Sequence, residues 1–199
     1  MYDAINSKYT YKNTDVLKNK LNIKSQEKLD EYETQMVAFK LLTLAKLNFV
    51  KTFDEKHLRF IHQYLFFEIY DFAGHYRQEN ITKDDFLFSS FEYIEDNVKE
   101  VMKKVNLAEL RKLDKDQLII KISNIMTDLN VLHPFREGNG RTIREFAREL
   151  FEELGYELNL YLVDKDTILT ASKKAITDES LQIELLKKCV SLKNKSLMY

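Results

Sequence analysis

Residues 133–144 read His-Pro-Phe-Arg-Glu-Gly-Asn-Gly-Arg-Thr-Ile-Arg, and the interpretation of the whole chain starts from this stretch. Two of the four glycines of the chain and its only proline lie within it. Glycine permits backbone angles that other residues avoid, and proline fixes one of them, so the stretch predicts a loop of defined and unusual shape. An ionisable ring, a carboxylate and guanidinium groups accompany that loop, and this composition is typical of a phosphate-binding site.

Apolar residues recur at steps of three and four on both sides of this loop. Before it they are Leu118, Ile122, Ile125, Leu129 and Leu132, and after it they are Ile143, Ala147, Leu150 and Leu154. This spacing predicts two helices, each with one buried face, joined by the loop. Residues 138–140 would form the entry to the second helix, where backbone N–H groups lack partners within the helix and the helix dipole is positive. An anion is expected to bind there.

The polar side chains of the loop indicate which anion and which chemistry. Arg141 and Arg144 are three apart and share one face of the first helical turn, so their two planar forks suit a polyphosphate. Asn139 is expected to tolerate a positive φ. Glu137 would repel phosphates unless a cation lay between them, and Mg²⁺ bridges phosphates while using few protein ligands. His133, with an ordinary pKa near ~6.5, is suited to take a proton from a hydroxyl.

The stretch resembles the signature of the Fic (filamentation induced by cAMP) family, H-x-F-x-[D/E]-G-N-G-R-x-x-R. Every specified position is filled, by His133, Phe135, Glu137, Gly138, Asn139, Gly140, Arg141 and Arg144. Residues 57–74 also resemble the helix that precedes the active site in Fic proteins, and residues 16–21 carry a weaker resemblance. Only the stretches 57–74 and 133–144 are specific. The resemblance implies an all-α, Fic-type helical domain with a small β-hairpin that is called the flap.

The resemblance implies protein AMPylation, in which AMP passes from ATP to a Tyr, Thr or Ser hydroxyl of a target protein. His133 would deprotonate that hydroxyl, which attacks the α-phosphate, and pyrophosphate would leave with Mg²⁺. Glu137 would hold the Mg²⁺, and residues 138–140 would hold the α- and β-phosphates. Arg141 and Arg144 would bind the β- and γ-phosphates.

Several alternatives stay open at this stage. Taken alone, His133 is more often a satisfied core histidine, and Arg141 with Arg144 is more often a solvated helix face beside Glu145 and Glu149. The same fold could use another phosphate-containing donor, or remove AMP. The chain could also be an inactive module that holds a partner strand through the flap. An intact Arg144 favours ATP as the donor, and an intact His133 argues against the inactive module.

Composition sets the domain organisation. With 199 residues, four glycines and one proline, and with no linker-like segment, a single helical domain over residues 1–199 is expected. We expect an N-terminal arm and helix in residues 1–50, a core in residues 51–155 and C-terminal helices in residues 156–199. The net charge of −1, with both signs interspersed, argues against a nucleic-acid partner.

The same composition bears on location. The single Cys189 cannot form an internal disulfide, and no apolar run approaches the ~20 residues that cross a bilayer. Residues 1–20 carry acidic residues and no apolar segment of the secretory type. These features predict a cytoplasmic protein with no membrane partner, while delivery by a specialised secretion system stays open.

Between Arg77 and Ser89 the helical spacing gives way to short alternation on either side of Asp84 and Asp85, which predicts a hairpin. An isolated hairpin keeps an edge that can pair with another strand. The resemblance implies that residues 77–89 are the flap, which aligns the backbone of the target by strand addition. Lys83 and Phe86 are its expected target-facing positions; the alternative is a plain connecting hairpin.

The remaining expectations concern the other helices. One helix would start at a Ser25 cap with Leu29, Tyr32, Met36 and Phe39 buried, and a second would open with a capping box at residues 52–55 and continue its apolar face to Phe72. Further helices are expected around residues 94–105, 164–176 and 178–192, and residues 193–199 should fray. His57 and His62 are five apart, which does not bring them together as metal ligands, so both are expected to be structural.

Control of activity forms the last expectation. Fic proteins are often inhibited by a helix bearing [S/T]-x-x-x-E-[G/N], whose glutamate pairs with the second motif arginine, here Arg144. Residues 180–184 match the first part of that pattern, but Leu185 stands where Gly or Asn is required, and ordinary amphipathic packing explains the segment. The resemblance therefore implies inhibition by a separate, small antitoxin-like partner rather than by Glu184.

Overall fold

The structure, a computed structural model, describes residues 7–83 and 86–193. Its elements are α1 (Gln26–Leu44), α2 (Glu55–Phe66), β1 (Thr82–Lys83), β2 (Phe86–Leu87), α3 (Ile94–Met102), α4 (Leu107–Leu110), α5 (Lys115–Leu132), α6 (Asn139–Glu153), β3 (Tyr156–Leu158), α7 (Lys165–Lys174), α8 (Ser180–Cys189) and β4 (Val190–Leu192). The expected helical domain with a small hairpin is thus confirmed. Among the described helices, none has the length and apolar character needed to span a membrane.

Helices α5 and α6 pack against each other on either side of the 133–144 loop. A capping box starts α5: the Asp114 carboxylate accepts from the Gln117 N–H at 2.9 Å, and the Gln117 side chain accepts from the Asp114 N–H at 3.2 Å. Helix α2 covers another side of α6, while α3 and α8 cover α5. The loop between α5 and α6 therefore rests on the central helices of the core.

Helix α1 begins as predicted, with the Ser25 side chain accepting from the Lys28 N–H. Its predicted apolar face is right at Leu29, which is buried, but wrong at Phe39, which is 58% exposed. The neighbouring Lys40 is buried instead, and its ammonium lies 2.5 Å from a Glu68 carboxylate oxygen. Glu33 is also buried on this side of α1. Polar partners elsewhere in the chain thus determine which side of the helix turns inward.

Helix α2 differs from its prediction at both ends. Asp54, not Thr52, is the N-cap: its carboxylate accepts from the His57 N–H at 3.0 Å, and the Thr52 hydroxyl donates to the same carboxylate at 2.6 Å. The helix ends at Phe66, and Ile69 is buried from a following turn rather than from the helix. The apolar spacing therefore continued beyond the helix because these turns also pack into the core.

The two small sheets are antiparallel. In the hairpin, Thr82 pairs with Leu87 and Lys83 with Phe86, which confirms the predicted hairpin. Strands β3 and β4 form a second pair, in which Leu158 lies opposite Val190. The prediction that the last helix continues to about residue 192 is therefore wrong, because α8 ends at Cys189 and the chain pairs back along β3. The fraying predicted for residues 193–199 is wrong at Lys193, whose N–H donates to Gly155 O at 3.0 Å, and residues 194–199 lie outside the described residues.

The N-terminal arm contains no helix over residues 7–25. An isolated bridge joins Thr10 to Leu17, and the N–H of Lys20 donates to Ile69 O at 2.9 Å. Val16 and Leu17 are buried against the core. The described part of the N-terminal arm thus packs onto the core and onto the turns that follow α2.

Candidate active site

His133 ends α5 and begins the loop that leads to α6. Its left-handed backbone, with φ 48° and ψ 60°, stops the helix. In its ring, Nδ1 lies 3.1 Å from Asn130 O. A carbonyl oxygen only accepts, so Nδ1 carries the proton of the neutral ring and the lone pair is at Nε2. The ring also stacks on Phe88 of the hairpin, with 4.0 Å between centroids.

The surroundings of His133 keep its imidazole neutral. Burial lowers the pKa of His133 from its ordinary value to about 4, and the nearby cations Lys83 and Arg77 act in the same direction. The hydrogen bond to Asn130 opposes them and raises the pKa. At pH 7 the ring is therefore uncharged and carries a lone pair on Nε2, which is the protonation state that a general base requires.

Asn139 closes the loop on itself. Its Nδ2 donates to Phe135 O at 2.7 Å, and its Oδ1 accepts from the Phe135 N–H at 2.8 Å, so one amide satisfies both backbone groups. Phe135 is fully buried. The predicted positive φ at Asn139 is wrong, because Asn139 is the first residue of α6; the left-handed positions are His133 and Gly138. The asparagine is needed for its amide rather than for its backbone conformation.

Two glycines of the loop permit close approaches. Gly138, the N-cap of α6, has φ 82°, and a Cβ there would lie 2.4 Å from the Phe66 ring. A Cβ at Gly140 would lie 2.9 Å from Nη1 of Arg144, so Gly140 leaves room for that guanidinium over the first turn of α6. The first N–H groups of α6 and this guanidinium can therefore approach one anion together.

Arg141 and Arg144 have different partners. Nη2 of Arg141 lies 2.6 Å from Glu33 Oε1 and 3.3 Å from Glu137 Oε1, and its guanidinium lies 4.8 Å from the Phe66 centroid. Burial, with the neighbouring Arg141, lowers the pKa of Arg144 to about 10, so Arg144 stays protonated at pH 7. Within residues 7–83 and 86–193, Arg144 has no carboxylate partner. It is a partly buried cation that a ligand can neutralise.

Glu137 also faces this region, and 31% of its side chain is exposed. Its Oε1 accepts from the Gly138 N–H at 2.8 Å, while its Oε2 accepts no hydrogen bond from the described residues. In that part of the chain no three His, Cys, Asp or Glu side chains are grouped so that they could hold a metal. One carboxylate suits a cation that takes its other ligands from phosphates and water, as Mg²⁺ does.

All the site residues predicted from the sequence line one cavity of about 1000 Å³. They are Lys83, Phe86, His133, Glu137, Gly138, Asn139, Gly140, Arg141 and Arg144. Helices α1, α7 and α8 and the turn after α7 supply the other walls, with apolar Val37, Leu169 and Ile176 among them. The structure therefore places an imidazole, a carboxylate, a helix N-terminus and two guanidinium groups around a space large enough for a nucleotide.

Arg77, which the sequence analysis missed, connects the hairpin to His133. This arginine is buried, and its Nε donates to His133 O at 2.8 Å and its Nη1 to Glu79 O at 2.7 Å. Its Nη2 donates to Leu132 O at 3.2 Å and also to Ser89 O. One guanidinium thus joins both ends of the hairpin to the end of α5. An arginine in a short polar stretch gives no periodic sign of burial, so local patterns could not reveal it.

Glu33 on α1 is the second residue that the sequence analysis missed. Its carboxylate pairs with Arg141 and accepts a hydrogen bond from the Tyr70 hydroxyl. Burial raises the pKa of Glu33, and Arg141 opposes that shift. Because Glu33 and Glu137 both contact Arg141, the first motif arginine is largely neutralised within the protein, whereas Arg144 is not.

Both histidines of α2 are buried in the core, and each contacts polar groups of other segments. His57 Nε2 lies 2.7 Å from Glu149 Oε2, and the two side chains form a close polar pair in the core. His62 contacts Gly74 N and Glu137 O, and burial lowers its pKa to about 3. His57 therefore lies behind α6, and His62 lies behind the loop.

Comparison with known sequences gives consistent matches. The model of the Fic/DOC family matches residues 52–151. The protein adenylyltransferase VbhT of Bartonella schoenbuchensis is 34% identical over 172 residues, which are 86% of this chain and 36% of that protein. The probable protein adenylyltransferase Fic of Escherichia coli (strain K12) is 30% identical over 179 residues, 89% of this chain and 88% of that protein. The chain thus spans about a third of VbhT and most of the E. coli relative.

Solved structures with the same architecture include a nucleotide complex. The BepC protein of Bartonella tribocorum with bound AMPPNP superposes with a TM-score of 0.84 at 25% identity, covering 94% of this chain and 97% of that one. The N-terminal Fic domain of a Bartonella quintana protein with bound ADP also gives a TM-score of 0.84, at 26% identity over 94% of this chain and 95% of that one.

Proposed function

The chain belongs to the Fic/DOC family, and from that premise we propose that it is a protein adenylyltransferase that transfers AMP from ATP to a Tyr, Thr or Ser hydroxyl of a target protein. The proposal rests on one observation: the neutral His133, whose lone pair is at Nε2, shares a cavity with the N-terminus of α6 and with the cationic Arg144. A base for a hydroxyl and a binding site for several phosphates are therefore adjacent.

The proposed reaction follows from these positions. The target hydroxyl gives its proton to Nε2 of His133 while its oxygen forms a bond to the α-phosphorus. The bond from that phosphorus to the oxygen bridging to the β-phosphate breaks, and pyrophosphate leaves. The N–H groups at the start of α6 stabilise the charge on the α-phosphate oxygens, because they are held in place before the reaction begins. Mg²⁺, held by Glu137, would neutralise charge on the phosphates.

The two motif arginines then differ in their proposed roles. Arg144 binds the γ-phosphate, since it is the motif cation that lacks a carboxylate partner among the described residues. Arg141, held between Glu33 and Glu137, both orients the metal-binding carboxylate and contributes charge toward the β-phosphate. A donor without a terminal phosphate would leave Arg144 without an anion, which favours ATP over other phosphate-containing donors.

The hairpin is the proposed docking site of the target. Lys83 and Phe86 both line the cavity that contains His133, and Phe88 at the hairpin base stacks on the His133 ring. A target segment that adds as a strand to the hairpin would therefore bring its hydroxyl near Nε2. Arg77, through its bonds to Glu79 O and His133 O, would keep that strand and the base in register.

Inhibition by a separate partner is the finer part of the proposal. Arg144 also lines a smaller cavity of about 330 Å³, together with Leu160, Tyr161 and Leu169. Tyr161 is 94% exposed and Leu169 is 41% exposed, so an apolar surface surrounds a cation. A small antitoxin-like protein that places a glutamate on Arg144 would exclude the γ-phosphate.

The test is transfer of label from α-labelled ATP. The chain, with Mg²⁺ and a bacterial lysate, is expected to label one or a few protein bands, whereas His133→Ala labels none. A parallel reaction with γ-labelled ATP should give no labelled protein beyond that seen with His133→Ala, because pyrophosphate carries the label of the AMP-transfer reaction away. If the protein labels its target only from γ-labelled ATP, the reaction is phosphate transfer and not AMP transfer. If the wild type neither labels protein nor binds ATP, the proposal is overturned.

A further inference from the structure

His62 lies between the hydrophobic core and the loop of residues 133–144. The residue is fully buried in α2, and its ring stacks on Phe135 with 3.8 Å between centroids and 8° between planes. Phe66 packs against another side of the ring at 4.9 Å. These aromatic contacts leave the imidazole one orientation, so its two nitrogens point at defined partners.

The partners of the two nitrogens settle where the ring proton lies. The Gly74 N–H can only donate, and it lies 2.8 Å from Nδ1, so Nδ1 carries a lone pair. Glu137 O can only accept, and it lies 2.9 Å from Nε2, so Nε2 carries the proton. Both contacts are satisfied by one tautomer of the neutral ring, and no other protonation state satisfies both.

The hydrogen bond to Glu137 O fixes the plane of the Glu137–Gly138 peptide. The described chain contains no cis peptide bond, so the Gly138 N–H points away from the carbonyl that faces His62. On that opposite side it meets Glu137 Oε1 at 2.8 Å, a carboxylate that lines the cavity. The Gly138 N–H is therefore directed toward the cavity, where a phosphate oxygen can take the place of the carboxylate.

This peptide needs an external restraint because Gly138 is a glycine. A residue without Cβ occupies several φ regions at similar cost, so rotation of the preceding peptide meets little steric resistance from Gly138 itself. A rotated peptide would turn the Glu137 carbonyl oxygen toward the phosphates. The site would then lose one N–H donor and present an acceptor to an anion, which is repulsive.

We infer that His62 is a positioning residue that sets phosphate affinity by holding the Glu137–Gly138 peptide with its N–H toward the cavity. This inference rests on the proposed nucleotide site but assigns no contact between His62 and the nucleotide. Its effect is therefore confined to the phosphates, and the nucleoside part of the ligand should not sense it. That selectivity separates positioning from a general contribution to the core.

Three variants test the inference. His62→Phe keeps a flat ring against Phe135 but removes both polar contacts, and His62→Gln keeps a terminal amide that can donate to Glu137 O. His57→Gln is the matched control, since His57 is equally buried on α2 but contacts Glu149 on the far side of α6. Binding of Mg²⁺-ATP and of adenosine is measured by calorimetry or NMR titration, with thermal unfolding alongside.

His62→Phe is expected to weaken ATP about 10- to 100-fold, the size of one hydrogen bond to a charged group, with adenosine affinity unchanged. His62→Gln should recover most of the ATP affinity, and His57→Gln should lower the unfolding temperature without changing either affinity. Equal weakening of ATP and adenosine, or unchanged ATP binding, would overturn the inference. If the wild type itself binds no ATP, the proposed function is wrong, and that result is distinct from a failure of the inference about His62.

A measurement on the wild type covers the case in which His62→Phe does not fold. With ¹⁵N-labelled histidine, the His62 ring should show a protonated Nε2 and an unprotonated Nδ1, and the Gly138 amide signal should move on addition of inorganic pyrophosphate with Mg²⁺. A ring protonated at Nδ1, or a Gly138 signal that does not respond, would contradict the proposed peptide orientation.

Discussion

The first turn and the last turns of α6 carry charges in opposite circumstances. At the start, Arg144 is partly buried and has no carboxylate partner among the described residues. Further along, Arg148 lies 2.7 Å from Glu145 and 3.1 Å from Glu152, and Glu149 lies 2.7 Å from His57. Helix α6 thus contains, near its start, a cation without a carboxylate partner among the described residues and, near its end, a network of paired charges.

The difference indicates that the start of α6 serves ligand binding and that its end serves the stability of the fold. A desolvated cation without a partner costs free energy in the folded protein, so it persists where a ligand supplies the missing charge. A paired network has no such need, and Lys51 and Lys193 add further cations near Glu152. The alternative that Arg144 shares a solvated face with Glu145 and Glu149 is therefore wrong, because both carboxylates are buried and engaged elsewhere.

The largest expected effect is at His133, near the start of α6. A change there should affect AMP transfer but not ATP binding. His133→Ala should lower AMP transfer by about 10²–10⁴-fold, the usual contribution of a general base. ATP affinity should stay close to that of the wild type, because the phosphates are held by α6 rather than by the imidazole. Rate measurements with a labelled target, beside calorimetry with ATP, check both parts; wild-type labelling by the variant would remove His133 from the role of base.

The lowered pKa of His133 gives a related expectation for pH. A base works when it is neutral, and a pKa of about 4 keeps this imidazole neutral well below its ordinary value. The acid limb of kcat/KM should therefore fall below about pH 5 rather than near 6.5. Circular dichroism at each pH separates this limb from acid unfolding. A limb centred near 6.5 in folded protein would show that the ring is more exposed than the structure indicates.

At the other end of α6, breaking the paired network should affect stability alone. His57→Phe leaves the buried Glu149 without its closest partner, and the expected loss is about 3–5 kcal/mol of unfolding free energy. The double variant His57→Phe with Glu149→Leu should regain much of that loss, since it removes both polar groups together. The unfolding free energies of the wild type, the single variant and the double variant are measured by urea unfolding. Every one of these proteins that folds should bind ATP with the same affinity. A change in ATP affinity would show that the paired network at the end of α6 influences the nucleotide site at its start.

Arg144→Ala is expected to have a smaller effect, confined to the terminal phosphate. A charge-assisted contact contributes roughly 1.5–3 kcal/mol, so ATP should weaken by that amount while ADP weakens much less. Arg148→Ala, one turn along the same helix, serves as the control and should change stability without changing the preference between ATP and ADP. Calorimetry with both nucleotides decides the assignment, and equal weakening of ATP and ADP would move Arg144 away from the γ-phosphate.

The same contrast explains how far the sequence could predict the structure. Features set by neighbours along the chain were predictable: the Ser25 cap and the helices on either side of the loop of residues 133–144 depend on local spacing. Features set by distant partners were not. The buried side of α1 depends on Tyr70 and Arg141 meeting Glu33, which no periodicity in residues 26–44 contains.

The predicted ends of some helices were wrong for the same reason. The chain after Cys189 could have continued as a helix on its local pattern, but it pairs with β3, about thirty residues earlier, and becomes a strand. Arg77 and His62 show the corresponding limit at the site. Each is identified only by carbonyl groups that the fold brings to it, His133 O for the first and Glu137 O for the second.

The smallest expected effect tests whether the partner of Arg144 is already present in this chain. Glu184 is exposed on α8, whose neighbouring Gln182 is buried and donates to Ser123 and Thr127 on α5, so the helix is anchored by packing. No ion pair joins Glu184 to Arg144 in the part of the chain that the structure describes. Glu184→Ala should therefore leave self-labelling and target labelling unchanged; alanine is preferred to glycine, which would itself cost ~1 kcal/mol within a helix. A rise of about tenfold or more, the size expected when a charge-assisted contact is removed, would identify Glu184 as an internal inhibitor. An unchanged rate leaves Arg144 open to a glutamate from a separate protein, and co-purification of that protein with the wild type but not with Arg144→Ala would assign the contact.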